Sequence, residues 1–282
     1  MLLYILVSFL AAIVSVFFIR RYFRKHAQSY AEDAPQRFHH GAIPRLGGTG
    51  IFLGWLLGLV VALVLDAGLA AKASTLGSVL GIAVLVFVVV AVGTAEDYTQ
   101  TVTPRWRLFL TAVAAIAAIY WLGLTVPRLD LAWVDSWWVQ WPVLGVLLTF
   151  LGLIGLTHAF NLIDGYNGLA GTVAVLIGLS YAYVSFKVGD RELLIMSACM
   201  VAATVGFLFL NYPRGLIFAG DGGSYFWGFL LALIGILLVQ RHAQVSAWYP
   251  LLLLIYLIWE TVFSTYRKLA RGQSPGMADA LH

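Results

Sequence analysis

Residues 161–170 place an acid, Asp164, two carboxamides, Asn161 and Asn167, and two glycines, Gly165 and Gly168, in one short stretch between almost wholly apolar segments. An unsatisfied polar group in hydrocarbon costs about several kcal/mol, so an ionisable residue at the end of an apolar run is a functional-site candidate. The plain alternative is a polar turn between two helices. Three other segments carry similar chemistry. Glu96-Asp97 ends a long apolar run, and mutual repulsion between adjacent carboxylates favours a proton acceptor, although a solvated helix end would look the same. Asp221 sits in the glycine-rich stretch 219–224 just before another apolar run. There it serves either a phosphate and metal site at a helix start or as a helix N-cap. Residues 35–48 mix Arg37, His39, His40 and Arg45 with prolines and the pair Gly47-Gly48, which suits phosphate binding or membrane orientation. His158, three residues before Asn161, reads equally as a proton shuttle or an interface anchor. Glu260, late in an apolar run, reads as a snorkelling side chain.

Acid groups of this kind suit Mg²⁺, which is held by a few carboxylates together with substrate phosphates. A soft-metal site is disfavoured, because no cysteine–histidine cluster exists and Cys199 is the sole cysteine. Cys199 lies in an apolar run and is read as packing, with no intrachain disulfide to form.

These residues are positioned by an apolar framework. The chain has 282 residues, 61% hydrophobic and 11% charged, with a mean hydropathy of +0.91. Soluble domains carry about 25% charged residues, so the expected fold is all-α, a polytopic transmembrane helix bundle forming a single domain over 1–282. Apolar runs predict nine spans, at about 1–19, 48–69, 74–94, 106–125, 143–158, 168–187, 192–210, 222–239 and 245–264. The first is read as a retained span, since it lacks a basic leader and a cleavage site. With the N-terminus outside, twelve of the 17 Lys and Arg fall on one side, which the positive-inside rule makes cytoplasmic. The four motif segments fall on that same side. The bases flank spans and accompany no nucleic-acid motif, so nucleic-acid binding is not expected. Trp133, Trp137, Trp138 and Trp141 lie together on the opposite side and read as an interfacial belt.

These motifs resemble those of the polyprenyl-phosphate N-acetylhexosamine-1-phosphate transferases, the membrane family that includes phospho-N-acetylmuramoyl-pentapeptide transferase. Residues 161–170 resemble its Asn-x-x-Asp-Gly-x-x-Gly-Leu signature, 219–224 its Gly-Asp-x-Gly-Ser segment, and 43–48 its Pro-Arg-x-Gly-Gly entry to span 2. Glu96-Asp97 falls where the family has an acidic pair, usually two aspartates. The resemblance implies ten or more helices with an outward N-terminus, in a bacterial inner membrane, with the site on the cytoplasmic side and the given C-terminus cytoplasmic. It implies transfer of an amino-sugar-1-phosphate from a UDP-sugar to polyprenyl phosphate, releasing UMP, with Mg²⁺ required and Mn²⁺ as a substitute. Glu96, Asp97, Asp164 and Asp221 would be catalytic, with Asp221 and Asp97 on the metal. Pro44, Arg45, Gly47, Gly48, Asn161, Gly165, Asn167, Asn211, Gly220, Gly222 and His282 would bind substrate.

The family also carries a histidine cluster after span 9 and then a closing span, whereas this sequence stops at 278–282, with His282 as the cluster's first member. The expectation is a chain shortened relative to a complete enzyme, or one that works without that loop. Asn167, where the muramoyl-pentapeptide branch has an aspartate, and the stretch 96–107 resemble the branch that initiates O-antigen. The partners implied are a UDP-sugar and a polyprenyl phosphate, with a homodimer allowed. The alternatives are a transporter of nucleotide-sugar or lipid-linked sugar, and a non-catalytic scaffold.

Overall fold

The computed structural model describes residues 1–29, 43–66, 69 and 73–272. Among them every regular element is helical: α1 (Leu2–Phe23), α2 (Gly47–Leu65), α3 (Ala73–Thr99), α4 (Pro104–Leu122), α5 (Ala132–Gln140), α6 (Val143–Ile163), α7 (Leu169–Val188), α8 (Arg191–Asn211), α9 (Gly220–Arg241), α10 (Trp248–Leu253) and α11 (Ile255–Ala270), with one 3₁₀ turn at His26–Ser29. Eight of these are long and apolar enough to cross a membrane. In hydrocarbon a helix satisfies every backbone group within its own segment, which is why such sequences form helices.

Helix α9 is the hub. Of its most apolar window, 94% is buried, against 22% for α1 and for α4, which therefore present most of their surface outward. A helix that is apolar all round belongs inside a bundle, and α9 packs on α2, α3, α6 and α7. Helices α1 and α2 meet through small residues. A Cβ on Gly54 would lie 2.7 Å from the Ser8 carbonyl oxygen and from the Ala12 Cβ. Lipid gives apolar faces no preference for one another, so close van der Waals contact of this kind drives the association.

Both ends of α9 are held by distant side chains. At its C-terminus the Arg128 guanidinium donates to the carbonyls of Val239, His242, Ala243 and Val245, at 2.8–3.4 Å. Its Nε donates to Asp130 at 2.7 Å. Asp130 in turn accepts from the Ala247 amide and Ser246 hydroxyl, contacts that with Arg128 hold its carboxyl below the usual range. A cation suits the orphan carbonyls at a helix end. Arg128→Ala should therefore cost about 2 kcal/mol, seen as a melting temperature in detergent lower by roughly 5 °C. An unchanged melting temperature would show that the clamp contributes nothing. On the same face Arg191 grips Asp66 at 2.6–2.9 Å, keeping that carboxyl low.

Three departures from the sequence reading bear on the site. The expected span 245–264 is two helices, α10 and α11, interrupted at Leu254. Helix α11 buries Leu257, Ser264 and Lys268 and exposes Trp259, Val262, Phe263 and Tyr266. The apolar run shows its length in the sequence, and Pro250 within it is the one helix-breaking residue near the interruption. Helix α6 continues to Ile163, so His158 and Asn161 lie on one face of its last turns rather than in a loop. Helix α3 continues to Thr99, which puts Glu96 and Asp97 on a helix.

Candidate active site

The four motif segments converge on the N-terminus of α9. Residues 44–48 run beside 217–220: the Phe218 amide donates to the Pro44 carbonyl (2.9 Å), and the Gly47 and Gly48 amides donate to the carbonyls of Phe218 (2.9 Å) and Ala219 (2.8 Å). This approach needs glycine. A Cβ on Gly48 would lie 1.9 Å from the Gly223 nitrogen, and one on Gly93 of α3 would lie 2.5 Å from the Asp221 carbonyl carbon. At Gly220, φ is +70° and the Arg45 carbonyl is close by, so a side chain is excluded there on both counts. The glycines of this region thus seat α2 and α3 directly against the start of α9.

Asp221, in the first turn of α9, is the centre of the cluster. Its Oδ2 pairs with Arg107 Nη1 of α4. Its Oδ1 accepts from Asn161 Nδ2 of α6 at 2.6 Å, and Tyr225 approaches Oδ2 at 3.4 Å. Asp97 is buried, and its two oxygens accept from the Asp221 and Gly222 amides, each at 2.9 Å. Those are two of the orphan donors of a helix N-terminus, so α9 is capped in trans by a residue 124 positions earlier. The Asp221 and Gly222 amides, which a phosphate would otherwise meet, are in this way engaged by Asp97. Glu96 points elsewhere: its Oε2 accepts from the Val102 amide at 2.8 Å and closes the turn into α4.

Asp164 follows α6 directly and accepts from Ser224 of α9 at 3.4 Å. Burial among protein atoms pushes its carboxyl up to about 7, with Asp221 adding to the rise and Ser224 and Arg45 opposing it. A carboxyl raised above its unfolded value of about 4 binds its proton more tightly when folded. Its stabilising contribution is therefore full below pH 4 and is lost as pH rises to about 7. In EDTA the protein should lose stability across that window by at most about 1.4 kcal/mol per pH unit from this one proton. The Asp164→Asn variant should lack this component, which melting curves from pH 5 to 8 test directly. Identical pH slopes in the two proteins would contradict it.

Asn167 donates to the Pro213 carbonyl at 3.1 Å, and its Oδ1 is buried without a partner among the described residues. Asn211 is buried and joins the motif segments to each other, accepting from the Gly168 amide (2.7 Å) and donating to the Ile217 carbonyl (2.8 Å). Gly165 is exposed with open space around it. His158 meets Thr111 of α4 at 3.1 Å and sits edge-on to Tyr225. His39, His40 and His282 lie outside the described residues. The structure thus brings Asp97, Asn161, Asp164 and Asp221 together and leaves Glu96 and Gly165 apart from them.

Arg107 is the site residue to which the sequence assigns no role of its own: it counts there among the orienting bases and closes the stretch 96–107 that resembles one branch of the family. A signal was present. Arg107 lies in the first turns of α4, close to Pro104, and a cation at that end opposes the helix dipole.

The donor set bears on a metal. Asp97, Asp164 and Asp221 offer only carboxylate oxygens, against the guanidinium groups of Arg107 and Arg45. No three His, Cys, Asp or Glu converge to hold an ion among the described residues. Mg²⁺ is held by one or two carboxylates and completed by phosphates and water rather than caged by protein, so these residues fit it in kind.

A model of glycosyl transferase family 4 matches residues 79–239. The chain is 30% identical over 286 residues, 99% of its length and 75% of the other's, to a Bacillus subtilis protein named probable undecaprenyl-phosphate N-acetylglucosaminyl 1-phosphate transferase. It is 32% identical over 142 residues to the phospho-N-acetylmuramoyl-pentapeptide-transferase of Moorella thermoacetica, covering 49% of this chain and 42% of that one. With the enzyme of the same name from Streptococcus sanguinis the identity is 29% over 292 residues, covering 95% and 82%. The segments that build the Asp221 cluster on α3, α4, α6 and α9 all fall within the matched region, and this multi-helix membrane protein belongs to glycosyl transferase family 4.

Proposed function

We propose that this protein transfers N-acetylglucosamine-1-phosphate from UDP-N-acetylglucosamine to undecaprenyl phosphate, releasing UMP, as the first committed step of a lipid-linked cell-surface glycan such as O-antigen. The observation that carries this reading is the convergence of four polar segments on Asp221, at one end of a bundle of apolar helices. A reaction between a water-soluble nucleotide-sugar and a lipid phosphate needs such a polar site at a membrane boundary. The Bacillus subtilis relative's name supplies the sugar and the lipid.

An oxygen of the lipid phosphate attacks the β-phosphorus of the UDP-sugar, and the bond from that phosphorus to the UMP oxygen breaks. Such chemistry is mostly positioning and charge stabilisation. Arg107 and Arg45 supply positive charge to the diphosphate. Asn161 orients Asp221, and Asn167 and Asn211 fix the motif segments around the nucleotide. Asp97 holds the start of α9 in place through the Asp221 and Gly222 amides. Bound Mg²⁺, or Mn²⁺ in its place, would be held by Asp221 with Asp97 nearby, and would supply countercharge for the departing UMP.

The test is a radiolabel assay with purified protein, undecaprenyl phosphate, Mg²⁺ and a panel of UDP-amino sugars. Labelled lipid from UDP-N-acetylglucosamine alone supports the proposal. Labelled nucleotide carried into vesicles without lipid product points instead to transport.

The excess of bases beside the site supports a cytoplasmic orientation for it at the inner membrane. In a Cys199→Ser background, Thr99→Cys and Arg214→Cys should resist an impermeant thiol reagent in intact cells, and Gln140→Cys, on α5 at the opposite end, should react. All three positions are exposed. The reverse labelling pattern would overturn this orientation.

A further inference from the structure

Two arginine–carboxylate pairs in this protein differ in kind. Arg191 grips Asp66 with a fork, Nε and Nη2 both engaged, in a pair that ties α8 to the end of α2. Arg107 reaches Asp221 through Nη1 alone, and its Nε is buried without an acceptor among the described residues. Arg107 thus gives Asp221 one of its five donors and also bonds Tyr225, while its Nε edge is left without an acceptor among the described residues. Its placement on α4 also opposes the helix dipole, so helix stability does not account for a cation there.

The backbone beneath Arg107 is fixed while its head remains reachable. The Arg107 amide donates to the Thr103 carbonyl at 3.1 Å, and its own carbonyl accepts from the Thr111 hydroxyl at 2.9 Å. Thr111 is in turn held against His158. The side chains of Arg107 and Asp221 remain 20% and 18% exposed, so the pair is open to exchange from the aqueous side. Asp97 has no such freedom, with both of its oxygens on the α9 amides.

We propose that Arg107 is an exchangeable counter-cation: it neutralises Asp221 in the ligand-free protein and moves to the substrate diphosphate when a divalent ion takes Asp221. Arg107 is a substrate-contacting residue in this scheme. It keeps a part-buried carboxylate paired between turnovers and makes its phosphate contact only when the ion has freed it. Binding of the ion and binding of the diphosphate are then coupled through one side chain. The scheme rests on the assignment of Asp221 to the divalent ion.

The test measures Mn²⁺ binding by the loss of the free-ion EPR signal, and UDP binding by calorimetry, on the full chain in detergent. With nucleotide absent, Arg107→Gln should bind Mn²⁺ roughly tenfold more tightly than wild type, because the competing cation is gone; with saturating Mn²⁺ it should bind UDP roughly tenfold more weakly. Arg107→Lys, which keeps the charge but not the fork, should move both values in the same directions by less. A merely structural arginine would, when lost, weaken both ligands together. That result, or unchanged Mn²⁺ affinity in Arg107→Gln while Asp221→Asn loses Mn²⁺, would overturn the exchange scheme alone. Wild-type Mn²⁺ affinity in Asp221→Asn would instead remove the ion from Asp221 and overturn both readings.

Discussion

Replacing Asp221 with asparagine should lower turnover roughly a thousandfold while leaving the protein folded. The carboxamide keeps the volume and one acceptor oxygen, so the 2.6 Å contact with Asn161 has a replacement. The start of α9 stays in place, because its amides are held by Asp97 rather than by Asp221. What disappears is the charge that pairs with Arg107 and that a divalent ion requires. The measurements are turnover in the radiolabel assay across a Mg²⁺ series, together with the melting temperature in detergent. Near-wild-type turnover with an unchanged Mg²⁺ dependence would remove Asp221 from the metal and from the chemistry.

The largest effect on folding is expected at Gly48. An alanine there would place its Cβ 1.9 Å from the Gly223 nitrogen, 2.4 Å from the Gly223 Cα and 2.5 Å from the Gly222 carbonyl carbon. Those are main-chain atoms of a buried helix, so no side-chain rotation relieves the overlap, and α2 must move away from α9. That movement would also stretch the 2.8 Å bond from the Gly48 amide to the Ala219 carbonyl. Overpacking costs about 1–3 kcal/mol and more when backbone must shift, so Gly48→Ala should lose roughly 10 °C in melting temperature and most of its activity. Gly77→Ala is the matched control, since a Cβ on Gly77 meets nothing within 4 Å. Equal stability of the two variants would show that the contact between α2 and α9 is not tight in solution.

The meeting of the four motif segments is legible in the sequence because alternating spans leave each connection only two sides to occupy. Asp97, Asn161, Asp164 and Asp221 stand out as polar groups at the ends of apolar runs, where little else accounts for them. The division of labour within Glu96-Asp97 is not legible. Adjacent residues on a helix face different directions, and only the packing of α3 on α9 decides that Asp97 meets the α9 amides while Glu96 meets Val102. The pairing of Arg107 with Asp221 is not legible, because a base beside a span already has a topological explanation and the partner lies 114 residues away. The glycines of 219–224 read as a phosphate cradle; the structure uses them for contact with Gly48 and Gly93, a demand set by the partner helices and invisible along the chain. The interruption at Leu254 is not marked at that position, although Pro250, four residues earlier, is a helix-breaking residue within the run.

The double anchorage of α9 sets a depth. Asp97 holds one end and Arg128 the other, and both are borne by neighbouring elements rather than by α9 itself. A 22-residue helix spans about 33 Å, close to the ~30 Å of bilayer hydrocarbon. A rod of that length, pinned top and bottom, cannot piston. The height of Asp221 above the bilayer midplane is therefore a property of the bundle and not of the surrounding lipid. A change in membrane thickness would be absorbed by tilt of the outward-facing α1, and the reacting groups would stay level with the plane where a lipid phosphate and a dissolved nucleotide can meet.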